Sequence, residues 1–333
     1  MIQYIFMSTL INIFSLVGSL ALFLYGMKIM SEGLEKFAGD RLRSILGAMT
    51  KNRLMGVLTG VGITALIQSS SATTVMVVSF VNAGLMTLRQ SIGVIMGANI
   101  GTTVTAWIIS AVGFKVNISA FAIPLLAIGL PLIFSGKSKR KSIGEFVFGF
   151  SFLFMGLTFL QDAATAMNIG DMVAGMLAHV PCDSFLTIIL FVIVGALVTM
   201  LVQASAATMA ITLMLFGMNI PGFGFEQAAA LAMGQNIGTC VTPIISAVGA
   251  GKNAKRAAAV HLYFNIIGTI VFLIVVYTIQ GLVGLPFWNK AIDMSGIANF
   301  HTFFNVVVTI CFIPFTKVLE KLAVWTIRDK KEE

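Results

Sequence analysis

The stretch "ALIQSSSATTVMVV", residues 65–78, places one glutamine, three consecutive serines and two threonines inside a long apolar region. Apolar arms at 54–67 and 72–87 flank this polar junction. As helices the arms would reach only about 21–24 Å, at 1.5 Å per residue, which is short of the ~30 Å hydrocarbon core of a bilayer. The pattern therefore predicts a re-entrant helical hairpin, whose polar tip lies near mid-membrane under the cover of protein or water.

The composition assigns the chain to a membrane. Of its 333 residues, 58% are hydrophobic and 10% are charged, and the mean hydropathy is +0.97. Soluble domains carry roughly a quarter charged residues, and several runs here approach the ~20 apolar residues that cross a bilayer. We therefore predict an all-α polytopic membrane protein. The net charge of +8 resides in short loops and at the C-terminus, so it indicates topology and no nucleic-acid partner.

The chain termini and the cysteines complete this assignment. The N-terminal "MIQYIFMSTLINIF" has no basic region and no small-residue cleavage site, which favours a retained first helix over a signal peptide. Because basic segments mark the cytoplasmic side, we expect a multi-pass protein with a cytoplasmic C-terminus. Cys182, Cys240 and Cys311 lie far apart and form no metal or redox motif.

The chain repeats itself. "TALIQSSSATT" is followed later by "TMLVQASAATM", "MGANIGTTVTAWIISAVG" by "MGQNIGTCVTPIISAVGA", and "LFLYGMKIM" by "FLFMGLTFL". Nearly the same offset along the chain relates the members of each pair, which are Gln68 and Gln203, Asn99 and Asn236, and Gly26 and Gly156. Three blocks in the same order at a nearly constant offset indicate an internal duplication.

Charge bias predicts that the two repeats are inverted. The segment after the first helix of repeat 1 carries five basic residues, Lys36, Arg41, Arg43, Lys51 and Arg53. Its counterpart, "DAATAMNIGDMVAGMLAHVPCD" at 162–183, contains no Lys or Arg and three aspartates. Equivalent segments with opposite charge bias belong on opposite sides of the membrane. We therefore predict two inverted-topology repeats, each with a re-entrant helical hairpin and a broken transmembrane helix.

This topology gives a domain plan and a path. The plan has an N-terminal transmembrane repeat (1–135), a cytoplasmic basic linker (136–142), a C-terminal transmembrane repeat with extra terminal helices (143–327) and a cytoplasmic tail (328–333). Predicted helices cover 9–30, 91–113, 117–135, 144–162, 228–250, 257–280 and 301–325, and predicted hairpins cover 54–87 and 183–220. Every major basic cluster then lies inside.

The polar tips suit an anion. A helix that begins just after Gln68 offers free N–H groups and the positive end of its dipole. Three serine hydroxyls add donors and can cap that helix, so the tip forms a compact anion site. The second tip keeps Gln203, Ser205 and Thr208 but loses two hydroxyls, so we expect the first tip to make more of the anion contacts.

The same region suits a hard cation. Hydroxyl and amide oxygens offer lone pairs to sodium. We expect Gly97, Gly101, Gly234 and Gly238 to let the two "GxNIGT" helices unwind around their asparagines, because unwound carbonyls bind cations in transporters with inverted repeats.

Ordinary helix packing is the alternative for such polar residues. We expect packing and hydrogen bonding, and no proton relay, for the histidines of "VHLYFN" (260–265) and "FHTFFN" (300–305). The tips and the "GxNIGT" blocks contain no charged residue, which favours cation coupling over proton coupling. No nucleophile–base pair, metal cluster or phosphate loop indicates an enzyme.

The paired motifs resemble the type II sodium–phosphate cotransporter family over roughly residues 15–320. The resemblance is carried by "QSSS" (68–71) and "QASA" (203–206), the "GANIGT" (97–102) and "GQNIGT" (234–239) blocks, and "AAAVHLYFN" (257–265). Two features depart from the family pattern. Ala204 and Ala206 make the second motif degenerate, and "SAVGFKVN" (110–117) lacks an aspartate that electrogenic animal members carry there.

The resemblance implies sodium-coupled uptake of inorganic phosphate across the bacterial inner (plasma) membrane, by alternating access around a site between the two tips. The implied phosphate-binding residues are Gln68, Ser69, Ser70, Ser71, Gln203, Ser205 and Thr208. The implied sodium-binding residues are Gln68, Thr73, Asn99, Thr102, Thr103, Gln203, Asn236, Thr239 and Thr242. Sodium is co-transported, and we expect no cofactor. The residues alone leave open another oxyanion such as sulfate or a dicarboxylate, a membrane sensor or scaffold, a channel, and a homo-oligomer.

Overall fold

A computed structural model of the chain describes residues 2–39, 52–113, 119–182, 184–284 and 292–328. Helices make up almost all of these residues, which confirms the predicted all-α class. The first half contains α1 (Ile2–Ala38), α2 (Arg53–Ile67), α3 (Ser70–Asn82), α4 (Leu88–Ile108), α5 (Ser119–Ile133) and α6 (Ser138–Ala166). The second half contains α7 (Ile169–Leu177), α8 (Phe185–Val202), α9 (Ser205–Gly217), α10 (Phe225–Thr239), α11 (Val241–Ser246), α12 (Lys252–Val283), α13 (Met294–Phe312) and α14 (Thr316–Thr326).

Seven segments among the described residues are long and apolar enough to cross a membrane, so the protein is a multi-pass membrane protein. They are Met7–Ala38, Leu88–Ala111, Ser138–Ala166, Phe185–Val202, Phe225–Ser246, Lys252–Val283 and Met294–Phe312. The segments that contain α4 and α10 have most of their residues buried inside the protein, whereas the apolar stretches of α1 and α12 have few buried residues. The two repeated "GxNIGT" blocks therefore lie on the central helices.

Several predicted boundaries differ from the structure. The predicted helix 301–325 is wrong, because α13 ends at Phe312 and α14 begins at Thr316. Pro314 lies between them, and its ring and missing N–H interrupt a helix. Most of the predicted linker 136–142 lies in the first turns of α6. The first arm of the second predicted hairpin is α8, whose 18 residues are long enough to cross a membrane. Three of the basic residues that were predicted to lie on the cytoplasmic side, Arg41, Arg43 and Lys51, are outside the described residues.

The two polar junctions are helix breaks with the same backbone geometry. α2 ends at Gln68, whose φ of 60° and ψ of 26° are left-handed, and Ser69 then returns to extended backbone before α3. α8 ends in the same way at Gln203, with φ of 57° and ψ of 22°, before an extended Ala204. A left-handed residue at a helix end is usually glycine. Glutamine stands in this conformation at both junctions, so the two turns share a backbone geometry that is uncommon for a residue other than glycine.

The predicted unwinding at the "GxNIGT" glycines is wrong. α4 is continuous through Gly97, and the irregular segment is a π-helix that follows at Ile109–Gly113. α10 is continuous through Gly234, and its break follows at Cys240. These glycines instead permit close helix contact. A Cβ on Gly97 would lie 1.9 Å from the carbonyl oxygen of Val57 on α2, as small residues allow in membrane helix pairs.

The same contact recurs in the second half. A Cβ on Gly234 would lie 2.0 Å from the carbonyl oxygen of Val192 on α8. Each hairpin therefore has its first arm, α2 or α8, packed directly against the backbone of the central helix that follows it in sequence. The second arm of each hairpin begins at the break, so both tips are held against the central helices.

The first helices of the two repeats, α1 and α6, pack against one another in opposite directions. A Cβ on Gly26 would lie 2.3 Å from the backbone nitrogen of Leu153, and one on Gly156 would lie 2.4 Å from that of Phe23. The same sequence offset relates Gly26 to Gly156 and Phe23 to Leu153. Each contact is thus the other with its partners exchanged, which is the pattern that a two-fold axis produces.

Candidate substrate site

The first tip, residues 68–71, is tied to α4 by its glutamine. The Gln68 side chain donates from Nε2 to the Ala65 carbonyl (2.5 Å) and accepts at Oε1 from the Thr105 hydroxyl (3.0 Å). Below the tip, the Thr64 hydroxyl donates to the Thr73 hydroxyl (3.0 Å) and joins the two arms of the hairpin. These bonds hold the left-handed turn without help from a charged residue.

The second tip, residues 203–206, repeats this set bond for bond. The Gln203 side chain donates to the Met200 carbonyl (2.5 Å) and accepts from the Thr242 hydroxyl (2.8 Å). The Thr199 hydroxyl donates to the Thr208 hydroxyl (2.8 Å) between the arms. The predicted phosphate residue Thr208 therefore takes part in an arm-to-arm bond.

The hydroxyls of the first tip divide into two groups. Ser69 caps α3, because its Oγ accepts from the backbone N–H of Ala72 (3.1 Å). The hydroxyls of Ser70 and Ser71 have no hydrogen-bond partner among the residues that the structure describes. Ser70 is buried and Ser71 is half-buried. Two hydroxyl donors at the start of α3 are thus available to a ligand.

The second tip offers fewer donors. Ala204 occupies the cap position and makes no side-chain bond there. The Ser205 hydroxyl has no partner within the described ranges, as at the equivalent Ser70. The N-terminal N–H groups of α9 remain oriented as in α3, so the second tip keeps the dipole and one free hydroxyl.

The predicted sodium residues lie on the central helices and the hairpin arms. Three of the threonines bond back to carbonyls of their own helix, which leaves their oxygen lone pairs available. These bonds are Thr102 to Ala98 (3.0 Å), Thr103 to Ile100 (2.7 Å) and Thr239 to Gln235 (2.8 Å). The structure brings Gln68 to Thr105 and Gln203 to Thr242, but it places Asn99 and Asn236 against α12 and α13.

Both buried asparagines have two side-chain partners. Asn99 donates to Asn265 (2.6 Å) and receives His261 Nε2 at 3.2 Å. Asn236 donates to Asn305 (2.7 Å) and receives His301 Nε2 at 3.2 Å. One lone pair on each asparagine carbonyl remains for a further donor or an ion.

Several of these residues were missed in the sequence, although a signal existed. When the "GxNIGT" blocks are aligned, Thr105 of repeat 1 corresponds to Thr242 of repeat 2. Thr242 is a predicted sodium residue, whereas the residue predicted in repeat 1 is Thr103. Thr64 and Thr199 correspond in the same way when the two tips are aligned. Aligning the repeats position by position would have selected all three.

Two cavities lie away from the tips. One of about 540 Å³ is lined almost wholly by apolar side chains of α8, α10, α12 and α13, with Glu226 accepting from the Tyr277 hydroxyl (2.7 Å). Another of about 580 Å³ includes Arg53 and Arg89 near the starts of α2 and α4. Within the described ranges, no group of histidine, cysteine, aspartate and glutamate side chains could hold a metal ion.

Comparison with known proteins settles the family. A family model described as Na+/Pi-cotransporter matches residues 22–162. The uncharacterized protein YqeW of Bacillus subtilis is 30% identical over 311 residues, which cover 92% of this chain and 96% of YqeW. The chain belongs to the Na+/Pi-cotransporter family. It is therefore a member of a transporter family.

Two further relatives match this protein over very different lengths. The Escherichia coli K12 protein named "Putative inorganic phosphate export protein YjbB" is 26% identical over 324 residues, 97% of this chain but 57% of YjbB. The human "Sodium-dependent phosphate transport protein 2B" is 38% identical over 97 residues, 28% of this chain and 14% of that protein. No solved structure matches.

Proposed function

We propose that the protein is a secondary active transporter that couples sodium to the uptake of inorganic phosphate across the bacterial inner membrane. The observation that carries this proposal is the pair of matched tips. Each has a left-handed glutamine tied to a threonine of a central helix, and each presents a helix N-terminus with a free serine hydroxyl. Family membership supports phosphate as the substrate.

Phosphate would bind between the tips. The free hydroxyls of Ser70, Ser71 and Ser205 and the N–H groups that begin α3 and α9 are donors to an oxyanion. The proposed phosphate set also includes Gln68, Ser69, Gln203 and Thr208, of which Ser69 and Thr208 act mainly by shaping the tips. No lysine or arginine takes part in the hydrogen bonds of either tip across the described ranges.

Sodium would supply the missing positive charge. Phosphate carries about one to two negative charges near neutral pH, and the helix ends amount to only about half a charge each. Desolvating such an anion without compensation is very costly. We propose that oxygens beside the tips hold sodium ions. They belong to Gln68, Thr73, Asn99, Thr102, Thr103, Gln203, Asn236, Thr239 and Thr242.

The alternating-access mechanism requires inverted repeats. The antiparallel, exchanged contacts of α1 and α6 support inversion, as does the charge asymmetry of the two equivalent loops. With this topology the C-terminus is cytoplasmic. In a cysteine-free background, we expect Asp171→Cys to be labelled from outside by an impermeant thiol reagent and Lys51→Cys only from inside. Labelling of both from one side would exclude inversion.

Export is the second candidate, because the YjbB relatives align with 97–98% of this chain and are named for phosphate export. The transport assay should therefore run in both directions. Proteoliposomes with an inward sodium gradient should accumulate radiolabelled phosphate, and replacing sodium by potassium or choline should abolish accumulation. Efflux from preloaded vesicles without a sodium requirement would favour export. Inhibition by excess sulfate stronger than by phosphate would favour another oxyanion.

A further inference from the structure

The partners of Asn99 form a closed ring of hydrogen bonds. The His261 ring contacts Asn99 Oδ1 through Nε2 (3.2 Å), and Asn99 Nδ2 donates to Asn265 Oδ1 (2.6 Å). Asn265 Nδ2 then donates to the backbone carbonyl of His261 (2.9 Å), which closes the circuit on the residue where it began. Because Asn99 Oδ1 can only accept, the His261–Asn99 bond requires the His261 proton to be on Nε2.

The second repeat contains the same ring. His301 Nε2 contacts Asn236 Oδ1 (3.2 Å), Asn236 Nδ2 donates to Asn305 Oδ1 (2.7 Å), and Asn305 Nδ2 donates to the His301 carbonyl (2.7 Å). Both histidines are followed by their asparagine at a spacing of four, which places the pair on one face of α12 or α13. All six side chains are at most 5% exposed.

Each ring lies close in sequence to the threonine that holds a tip glutamine. Asn99 and Thr105 are six residues apart on α4, which is about 9 Å along a helix, and Thr105 holds Gln68 of the first tip. Asn236 and Thr242 are also six residues apart, but the break at Cys240 between α10 and α11 lies between them, and Thr242 holds Gln203. The first ring also reaches the second repeat, because Asn265 Nδ2 lies 3.3 Å from the sulfur of Cys240 at the α10–α11 break.

We propose that the His261–Asn265 and His301–Asn305 pairs are positioning residues for transport. Each holds one central helix at its asparagine and thereby sets the register of the threonine that ties a tip glutamine. None of the four belongs to the proposed phosphate or sodium set, and each pair contacts it through one proposed sodium residue, Asn99 or Asn236. The inference rests on the proposed function for its kinetic effect, and the hydrogen-bond geometry itself is independent of which ion is carried.

Two substitutions at one histidine separate positioning from packing. His261→Gln keeps an N–H donor near the Nε2 position, whereas His261→Phe keeps the ring shape and removes the donor. A positioning hydrogen bond predicts that the Phe variant raises the apparent phosphate KM about tenfold while the Gln variant stays within about threefold. A packing role predicts the reverse order. Normalising Vmax to the amount of folded protein separates a loss of folded protein from a change in transport. His301 variants should give the same order.

A double-mutant comparison supplies a matched control, because the chain contains both rings. Combining Asn99→Ala with Asn265→Ala breaks one ring twice, so its KM should be no worse than that of the worse single variant. Combining Asn99→Ala with Asn305→Ala breaks both rings, so the fold-changes should multiply. Multiplication in both pairs would overturn the ring as a unit.

Trp107 gives a readout that does not depend on transport. It lies two residues past Thr105 on α4, and its Nε1 donates to the Thr302 hydroxyl on α13 (3.1 Å). In a protein with Trp288→Phe and Trp325→Phe, His261→Phe should shift the Trp107 emission maximum and His261→Gln should not. Absent phosphate transport by the unsubstituted protein would refute the proposed function alone. Wild-type emission and KM in both Phe variants would overturn the positioning role.

Discussion

The first and second tips share a backbone and differ in their side chains. Both have the left-handed glutamine, the threonine tie and the arm-to-arm threonine pair, but Ser69 and Ser71 of the first tip are Ala204 and Ala206 in the second. The turn therefore forms without these serines. Ser69 adds a cap to α3, whereas the Ser71 hydroxyl has no partner among the described residues, so we expect the first tip to make more of the proposed ligand contacts.

The largest expected effect tests what the two regions share. Gly97→Val and Gly234→Val each force a side chain into a facing backbone carbonyl. We expect each to lower the free energy of unfolding by about 3 kcal/mol or more, measured by thermal unfolding and monomer yield in detergent. Gly62→Val is the control, because a Cβ there meets no atom within 4 Å. A folded Gly97 variant beside an unfolded Gly234 variant would break the equivalence.

Sodium removal tests whether the uncharged tips share cations. Equilibrium phosphate binding to the purified protein should weaken at least about a hundredfold when choline replaces sodium at constant ionic strength. By linkage, phosphate should tighten sodium binding by the same factor. Asn236→Ala should shift the sodium dependence more than the phosphate occupancy at saturating sodium. Equal phosphate affinity in both salts would contradict a shared site.

Serine substitutions test the difference between the tips. Hydrogen bonds to a charged group are worth about 1.5–3 kcal/mol each. Ser70→Ala combined with Ser71→Ala should therefore weaken phosphate binding about a hundredfold or more, and Ser205→Ala only about tenfold. Ser79→Ala, whose hydroxyl bonds to Val75 on the exposed side of α3, is the control. Equal losses at the two tips would mean that the extra hydroxyls do not contact the anion.

The smallest effect concerns the ties. Thr105→Val and Thr242→Val keep the side-chain shape and remove one hydroxyl donor to Gln68 or Gln203. A neutral hydrogen bond contributes about 1 kcal/mol, so each variant should raise the half-saturating sodium concentration about fivefold in an uptake titration. The pair sharpens the comparison, because the equivalent bonds should give equal shifts. An effect of Thr242→Val alone would show that only the second tie bears on sodium.

Local pattern was enough to predict much of this architecture. Hydropathy predicts the membrane class, because long apolar runs have few other environments. The polar junctions predict the breaks at Gln68 and Gln203, and at the first junction the serine that follows the apolar arm caps the next helix. The predicted unwinding at the "GxNIGT" glycines was wrong, because the sequence does not distinguish a glycine that unwinds a helix from one that lets two helices touch.

The sequence by itself determined the helices, the duplication, the two tips and the residue types available to an anion and a cation. Only the tertiary structure decided which of those residues meet. Asn99 finds Asn265 at a separation of 166 residues, and Gln68 finds Thr105 across 37. Helix formation depends on neighbours within one or two turns, whereas these bonds depend on how whole helices cross. For that reason the two rings become visible only when the helices are packed.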